Sequence, residues 1–153
     1  METYNDVYGR TRNPWDLART AGGSSGGEGA IVASGGVAFG LGADVGGSIR
    51  IPASFSGIVG FKATFGRVPA FPLSPFGSLA NVGPMTRSVA DAALMLDAIA
   101  GPDASDGLAL TAPWRRGTLA MLDPHALQGA RLGLVEFHVP RDQMPAASVA
   151  IFD

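Results

Sequence analysis

Two glycine-rich stretches decide how this chain folds: Gly22-Gly23-Ser24-Ser25-Gly26-Gly27 and Asp44-Val45-Gly46-Gly47-Ser48-Ile49-Arg50, whose serines Ser24 and Ser48 lie 24 positions apart. Glycines beside each serine allow backbone conformations that are closed to other residues, and they leave room for another segment to approach. Each stretch also precedes a predicted helix. The sequence therefore predicts two tight turns that present serine hydroxyls.

The first stretch predicts the start of a helix. Ser25 and Glu28 fit a capping box, in which each side chain bonds a free N–H group of the first turn. An apolar run follows over residues 30–33, and Gly35-Gly36 predicts the end of the helix. Capping explains Ser25 as a structural residue. Ser24, one position earlier, has no such explanation and is the better candidate for chemistry.

Ser48 also precedes a predicted helix, which Gly57 ends. The N–H groups of Gly46 and Gly47 can point at one spot, and such an arrangement stabilises an oxyanion that develops on a substrate carbonyl. A serine hydroxyl is a weak nucleophile until a base lies within hydrogen-bond reach. Ser48 is therefore a candidate nucleophile that requires a partner.

Other interpretations of these glycines are less favoured. A phosphate-binding P-loop requires a lysine before its Ser/Thr, which neither stretch contains, and the dinucleotide fingerprint fails at Val45. Residues 22–26 match the G-x-S-x-G nucleophile elbow, for which His125 or His138 would supply the base. That elbow follows a buried strand, however, and residues 14–20 do not have the pattern of one.

Helix and strand patterns alternate along the chain, which predicts an α/β fold. Short apolar runs indicate three strands, at residues 37–43, 58–61 and 131–136. The Pro- and Gly-rich span 62–86 predicts a long loop. A second loop-like span covers residues 103–128, with Trp114 as its anchor, and the tail from Pro145 predicts the start of a helix.

The strongest helix signal covers residues 88–100. Ser88 and Asp91 form a predicted capping pair, and Gly101-Pro102 predicts the end of the helix. The apolar face of this helix consists of Ala92, Met95, Leu96 and Ile99.

The composition argues against several classes of function. Apolar residues make up 46% of the chain and charged residues 16%, against about 25% charged in typical soluble domains, so the chain resembles the interior of a larger protein. A net charge of −2 gives no reason to expect a nucleic acid or anionic membrane partner. Without cysteine and with two histidines, we expect no disulfide and no metal site. Glycines or prolines interrupt the charge-free stretches 29–43 and 68–86, so we expect no transmembrane span. The first six residues have neither the basic nor the apolar region of a signal peptide, so we expect no signal peptide and a cytoplasmic location.

Several further motifs accompany the two serine stretches. In order, the informative segments are residues 13–16 (Asn-Pro-Trp-Asp), 22–28, 40–53, 57–62, 66–69 and 83–91. In this order and spacing they resemble the amidase signature family, over about residues 3–138. The resemblance implies a large mixed β-sheet covered by helices. We expect a partial amidase domain over residues 1–153, with no internal boundary.

The resemblance implies a serine hydrolase that acts on small-molecule amides through an acyl-enzyme, without a cofactor or metal. Ser48 matches the nucleophile, and Ser24 matches the bridging serine of a Ser–cisSer–Lys triad, with a cis peptide bond between Gly23 and Ser24. The N–H groups matched to the oxyanion loop are those of Val45, Gly46, Gly47 and Ser48. The residues matched to positions that support these two segments are Asp44, Arg50, Gly23 and Ser25.

The lysine of the triad has no match in this chain. In the family it lies well upstream of the first serine stretch, whereas the only lysine here, Lys62, matches another position and is expected to be structural. Base catalysis contributes about 10²–10⁴-fold. We therefore expect an internal piece of an amidase that is inactive by itself.

Two alternatives stay open. One is a glutamine-hydrolysing component of a tRNA-dependent amidotransferase, which works with partner proteins, and the other is a non-enzymatic remnant. Ile51 and the Pro-rich segment 69–75 favour a free-standing amidase over the amidotransferase component.

Overall fold

The computed structural model of the chain describes residues 1–72, 74–110, 113–131 and 141–150. Its contacts group these residues into two compact units, Met1–Leu122 and Asp123–Asp153. Both serine stretches lie in the first unit. Its strands and α-helices are, in chain order, β1 (Tyr4–Asn5), β2 (Gly9–Arg10), β3 (Arg12–Asn13), β4 (Asp16–Thr20), α1 (Gly26–Ala33), β5 (Phe39–Asp44), α2 (Arg50–Ser56), β6 (Val59–Gly60), β7 (Asn81–Thr86) and α3 (Val89–Ile99).

The first unit is built on a three-stranded antiparallel sheet in the order β5-β7-β6. The pairs β1–β2 and β3–β4 form two separate antiparallel hairpins. Two short 3-10 helices, Gly77–Leu79 and Thr118–Met121, lie in the connecting segments. The mixture of strands and helices confirms the predicted α/β class.

Strand β7 overturns part of the loop predicted over residues 62–86, because it forms the centre of the sheet. Pro84 weakened the strand signal, since proline cannot donate to a β-ladder. In the structure Pro84 pairs with Leu41, and its carbonyl accepts the N–H of Phe61 at 3.0 Å, just beyond the end of β6. The strand therefore tolerates a proline whose carbonyl still takes part in pairing.

The strands and helix predicted around the second serine stretch are present with shifted ends. The predicted strands at 37–43 and 58–61 become β5 and the short β6. The helix expected from Ser48 begins at Arg50 and places Pro52 in its first turn, where proline is tolerated. It ends as predicted, at Gly57, whose φ of 67° is a left-handed conformation that favours glycine.

Glycines on β5 allow the two helices to approach the sheet closely. Gly40, Gly42 and Asp44 are buried on one face of the strand, while the residues between them are exposed on the other. A Cβ at Gly42 would lie 2.7 Å from Ile49 Cγ1 and 2.9 Å from Met85 Sδ, so only glycine fits. Ile49 and Met85 form the core on this face, together with Ala53.

The capping box predicted at the start of α1 is wrong. Ser25 does occupy the N-cap position, but its side chain makes no capping hydrogen bond. Ser25 Oγ lies against Gly42, and the carboxylate of Glu28 lies against Gly40. Both side chains therefore pack on β5 because its glycines leave space there.

At α3 the predicted capping pair is confirmed. The N–H of Asp91 donates to Ser88 Oγ at 3.1 Å, and the Ser88 hydroxyl donates to the Asp91 carboxylate at 2.7 Å. The helix ends at Ile99, before the predicted stop. Leu96, on the predicted apolar face, packs in a second small core.

The second unit is described only in part. It contains a 3-10 helix, Arg141–Gln143, and a short helix α4 (Ala146–Val149), which lies in the tail where a helix was predicted. The strand predicted at 131–136 lies outside the described residues, apart from Arg131.

Candidate active site

The loop that presents Ser48 is organised around the buried carboxylate of Asp44, the last residue of β5. Asp44 Oδ1 accepts the N–H of Gly47 at 2.8 Å, and Oδ2 accepts the N–H groups of Ile49 at 3.0 Å and Arg50 at 3.3 Å. The Arg50 guanidinium adds two further bonds, from Nε at 3.1 Å and from Nη2 at 2.8 Å. One side chain therefore fixes the backbone on both sides of Ser48.

The charge on Asp44 is held in place by these donors. Burial alone would raise the pKa of this carboxyl, since the side chain is 0% exposed. The hydrogen bonds from the Arg50 guanidinium and from the N–H groups of Ile49, Gly47 and Arg50 outweigh burial, and the pKa lies well below its usual range. Asp44 and Arg50, which the resemblance matched to supporting positions, are thus joined by a side-chain ion pair beside Ser48.

Three of the four N–H groups matched to the oxyanion loop make no hydrogen bond within the part of the chain that the structure describes. Those of Val45, Gly46 and Ser48 have no acceptor among the described residues. The N–H of Gly47, in contrast, is taken by Asp44. Gly47 adopts φ 118°, and a Cβ there would lie 2.8 Å from Ile51 Cδ1, so its contribution is to shape the turn.

Ser48 itself lies at the base of this loop, and its residue is 8% exposed. Its Oγ is 3.5 Å from the sulfur of Met1. Its carbonyl accepts the N–H of Ser25 at 3.1 Å. This backbone hydrogen bond joins the two serine stretches, which are far apart in the sequence.

The stretch that carries Ser24 has the backbone expected from the family resemblance, with a cis peptide bond between Gly23 and Ser24. Ser24 is exposed, whereas Gly22 and Gly23 are buried. The hydroxyl of Thr3 bonds the carbonyls of Gly22 and Ser24, each at 3.0 Å. The structure therefore brings the predicted bridging serine beside the backbone of the predicted nucleophile.

Comparison with known proteins agrees with this geometry, because the family description Amidase matches residues 1–151. The chain belongs to the amidase family. A component of the glutamyl-tRNA(Gln) amidotransferase of Listeria monocytogenes serotype 4b (strain CLIP80459) is 42% identical over 99% of this chain and 31% of its own length. The chain thus spans less than a third of that relative.

Solved amidase structures resemble the chain in three dimensions. The native peptide amidase of Stenotrophomonas maltophilia has a TM-score of 0.73 and is 38% identical, covering 84% of this chain and 27% of its own. A bacterial aryl acylamidase of the amidase signature family has a TM-score of 0.66 and is 43% identical, covering 74% of this chain and 24% of its own. The α/β unit described above is therefore part of the amidase-signature fold.

Two side chains of the Asn-Pro-Trp motif support the helix that follows Ser48. Asn13 Nδ2 donates to the carbonyl of Phe55 at 2.7 Å, and Trp15 Nε1 donates to the carbonyl of Ser56 at 2.7 Å. These carbonyls lie in the last turn of α2, where the helix leaves them without partners. The motif was recognised in the sequence, but its capping role was not.

Sequence reasoning also missed Arg87 and Thr3. Arg87 Nη1 donates to the carbonyls of Val32 at 3.1 Å and Val37 at 2.8 Å, and so it holds the end of α1. Both residues bond carbonyls that are distant in the sequence, and no local pattern reveals such a contact.

The other residues of this chain that could supply a base are Lys62, His125 and His138. Lys62 Nζ donates to the carbonyl of its neighbour Ala63 at 3.1 Å. His125 lies in the second unit, and His138 lies outside the described residues. The elbow hypothesis also required a buried strand before Gly22; β4 is present there, but its residues are mostly exposed.

The part of the chain that the structure describes contains neither a metal-binding cluster nor a helix that could span a membrane. No group of three or more His, Asp or Glu side chains in this part of the chain is placed to hold a metal ion. In the same residues, no helix has the length and apolar character needed to cross a membrane.

Proposed function

We propose that the protein carrying this chain is a serine amidase that hydrolyses small-molecule carboxylic amides through an acyl-enzyme on Ser48. One observation carries the proposal. The loop braced by Asp44 carries Ser48 together with three N–H groups that have no acceptor among the described residues, and the N–H of Ser25, next to the cis Gly23–Ser24 bond, donates to the Ser48 carbonyl. These two short stretches supply the proposed nucleophile, the proposed relay serine and the proposed donors to the oxyanion.

In the proposed first half-reaction, the Ser48 hydroxyl passes its proton to Ser24, which passes its own proton to a neutral lysine. Ser48 Oγ attacks the amide carbonyl carbon, and the N–H groups of Val45, Gly46 and Ser48 stabilise the oxyanion. The proton returns through Ser24 to the nitrogen of the leaving amine, and the C–N bond breaks. Water then attacks the acyl ester through the same relay, releasing the carboxylic acid and free Ser48.

The base of this relay is proposed to be a lysine other than Lys62. Lys62 is the only lysine of the 153 residues, and its ammonium donates to a neighbouring carbonyl. A relay serine without its base leaves Ser48 as an ordinary hydroxyl, because members of such a triad act as a unit. We therefore expect the 153-residue chain alone to show no amide turnover.

The test uses the complete gene product and a panel of aliphatic and aryl amides. Ser48→Ala is expected to lower kcat by at least about 10⁴-fold, because the covalent route is lost. Ser54→Ala, on the exposed side of α2, is the matched control and is expected to keep wild-type turnover. Hydrolysis that survives Ser48→Ala would refute the assignment.

The alternative function is glutamine hydrolysis within an amidotransferase, in which other proteins of the complex would be the partners. It is favoured by the name of the relative from Listeria monocytogenes, which belongs to a glutamyl-tRNA(Gln) amidotransferase. Ammonia release from glutamine, without turnover of the amide panel, would select this alternative. A folded gene product with neither activity would indicate a non-enzymatic remnant.

A further inference from the structure

We propose that Thr3 is a positioning residue for the serine relay, and that its hydroxyl holds Ser24 in the orientation that proton transfer requires. This inference rests on the proposed function, since it assigns a task within the same site.

The contacts of Thr3 surround Ser24 on both sides. Its Oγ1 lies 3.0 Å from the carbonyl oxygen of Gly22 and 3.0 Å from that of Ser24. It also accepts the N–H of Gly26 at 2.9 Å. The hydroxyl has one hydrogen, which the two carbonyls share, while a lone pair accepts the third bond. One side chain thus bonds the backbone before, at and after the relay serine.

The space around these bonds is filled. A Cβ at Gly26 would overlap Thr3 Oγ1, and a Cβ at Gly23 would lie 2.6 Å from the carbonyl carbon and oxygen of Glu2. The first serine stretch therefore needs glycine at these two positions, because the segment Glu2-Thr3 presses against it. This gives a specific reason for two glycines that the sequence alone explained only as general flexibility.

Thr3 is itself held from the opposite side. Its carbonyl accepts the N–H of Thr11 at 2.9 Å, which ties it to the β1–β2 hairpin and the segment after it. A β-branched side chain has few χ1 rotamers, so a fixed backbone also fixes the hydroxyl. The orientation of Ser24 is therefore set by a rigid contact from outside its own stretch.

The consequence falls on proton transfer and not on substrate binding. Ser24 is exposed, and its hydroxyl has no partner among the described residues, so the backbone that carries it sets the direction of its Cα–Cβ bond and the positions that its hydroxyl can reach. Loss of the Thr3 hydroxyl would release the carbonyls of Gly22 and Ser24. A displacement of about 1 Å in a reacting group can cost about 10²-fold in rate.

The experiment compares Thr3→Val with Thr3→Ser in the complete gene product, with the amide that the wild type hydrolyses fastest. Thr3→Val keeps the shape and removes the hydroxyl. It is expected to lower kcat by about 10²-fold with KM changed less than about twofold. Thr3→Ser keeps the hydroxyl and is expected to restore kcat to within about threefold of wild type. Thr11→Val, a neighbouring threonine whose side chain makes no hydrogen bond among the described residues, is the matched control.

The possible outcomes separate this inference from the proposed function. A wild type without Ser48-dependent hydrolysis would reject both. An active wild type whose Thr3→Val variant keeps full kcat would reject only the role of Thr3, as would equal loss in the valine and serine variants. If Thr3→Val does not fold, Thr3→Ala gives the same comparison without the added methyl group. A cooperative melt together with unchanged kcat in Thr3→Ala would also reject the role.

Discussion

Two carboxylates in this chain, those of Asp44 and Asp97, each accept several hydrogen bonds, but the segments that they hold differ in kind. Asp44 holds the loop around Ser48. Asp97, in the last turns of α3, accepts the indole N–H of Trp114 at 2.9 Å and the N–H groups of Gly117 at 2.7 Å and Thr118 at 2.9 Å, as well as the Thr118 hydroxyl. One carboxylate shapes a candidate active site, and the other ties a connecting segment to a helix.

The difference lies in burial and in the charge of the partners. Asp44 is fully buried and pairs with the Arg50 guanidinium, because a buried anion without a cation would be costly. Asp97 is half-buried, and the donors given above are all neutral. The Thr118 hydroxyl, together with the other donors, lowers the pKa of Asp97 to about 2 in spite of partial burial. In the loop around Ser48 a buried carboxylate is thus paired with a cation, whereas the surface segment is attached through a half-buried carboxylate and the neutral donors named here.

The largest effect is expected from Asp44→Asn, which removes the charge without changing the shape. An amide NH2 would face the N–H groups or the guanidinium that now donate to the carboxylate, so at least one donor would lose its acceptor. We expect the free energy of unfolding to fall by about 2 to 3 kcal/mol. This loss is at or below the low end of the range for breaking a buried ion pair, because the Arg50 side chain is 54% exposed and water can solvate it. Amide turnover is expected to fall by at least about 10²-fold, because the oxyanion loop loses its brace.

Arg50→Gln separates the contribution of the guanidinium charge from that of the backbone hydrogen bonds to Asp44. The variant removes the cation but keeps the N–H bonds from Gly47, Ile49 and Arg50 to Asp44. Its turnover is expected to lie between those of wild type and Asp44→Asn. Urea unfolding and amide hydrolysis of the complete gene product measure both effects. Wild-type turnover in Asp44→Asn would show that the loop is shaped without the carboxylate.

The same two regions show what the sequence was able to predict. Asp44 and Arg50 lie within one short motif, and the resemblance matched both of them to supporting positions. The donors to Asp97 lie 17 to 21 positions away, across a segment without periodicity, and no local signal connects them. Trp114 was predicted as an anchor, but its partner was not.

The missed features share this physical cause. The central strand β7 was hidden by Pro84, whose pairing depends on where β6 ends. The capping box at Ser25 fitted the local pattern, but the glycines of β5 offered its side chain another place to pack. Short-range patterns thus predicted helices, the α3 cap and two of the three sheet strands. Contacts between distant segments decided the rest.

Acid titration is expected to separate the two carboxylates. Both have pKa values below the ordinary value of 3.8, so each stabilises the fold above that pH and loses this contribution as pH falls through its folded pKa. For Asp97 the loss occurs between about pH 4 and pH 2. For Asp44, whose pKa lies lower, the contribution persists further into acid.

Carboxyl carbon NMR over this range follows the protonation of Asp97 and shows whether Asp44 stays ionised. The stability difference between wild type and Asp97→Asn is expected to shrink from pH 4 to pH 2, while the difference for Asp44→Asn shrinks less. Parallel titration of the two groups would contradict the distinction between a charged and a neutral set of donors.

The smallest effect is expected from Asp97→Asn itself. The amide keeps one acceptor oxygen for the segment that contains Trp114 and Thr118, and water reaches the half-buried site, so the loss of stability should be smaller than in Asp44→Asn. Amide hydrogens of Gly117 and Thr118 are expected to exchange about tenfold faster, which corresponds to the loss of about one hydrogen bond.

Trp114→Phe removes only the indole donor to Asp97 and keeps an aromatic ring near Arg67, whose guanidinium lies 5.1 Å from the indole centroid. This variant should therefore accelerate amide exchange less than Asp97→Asn does. Because Asp97 holds neither serine stretch, kcat should stay at the wild-type value in both variants. A fall in kcat would mean that the segment around Trp114 also supports the candidate site, and the contrast between the two carboxylates would then fail.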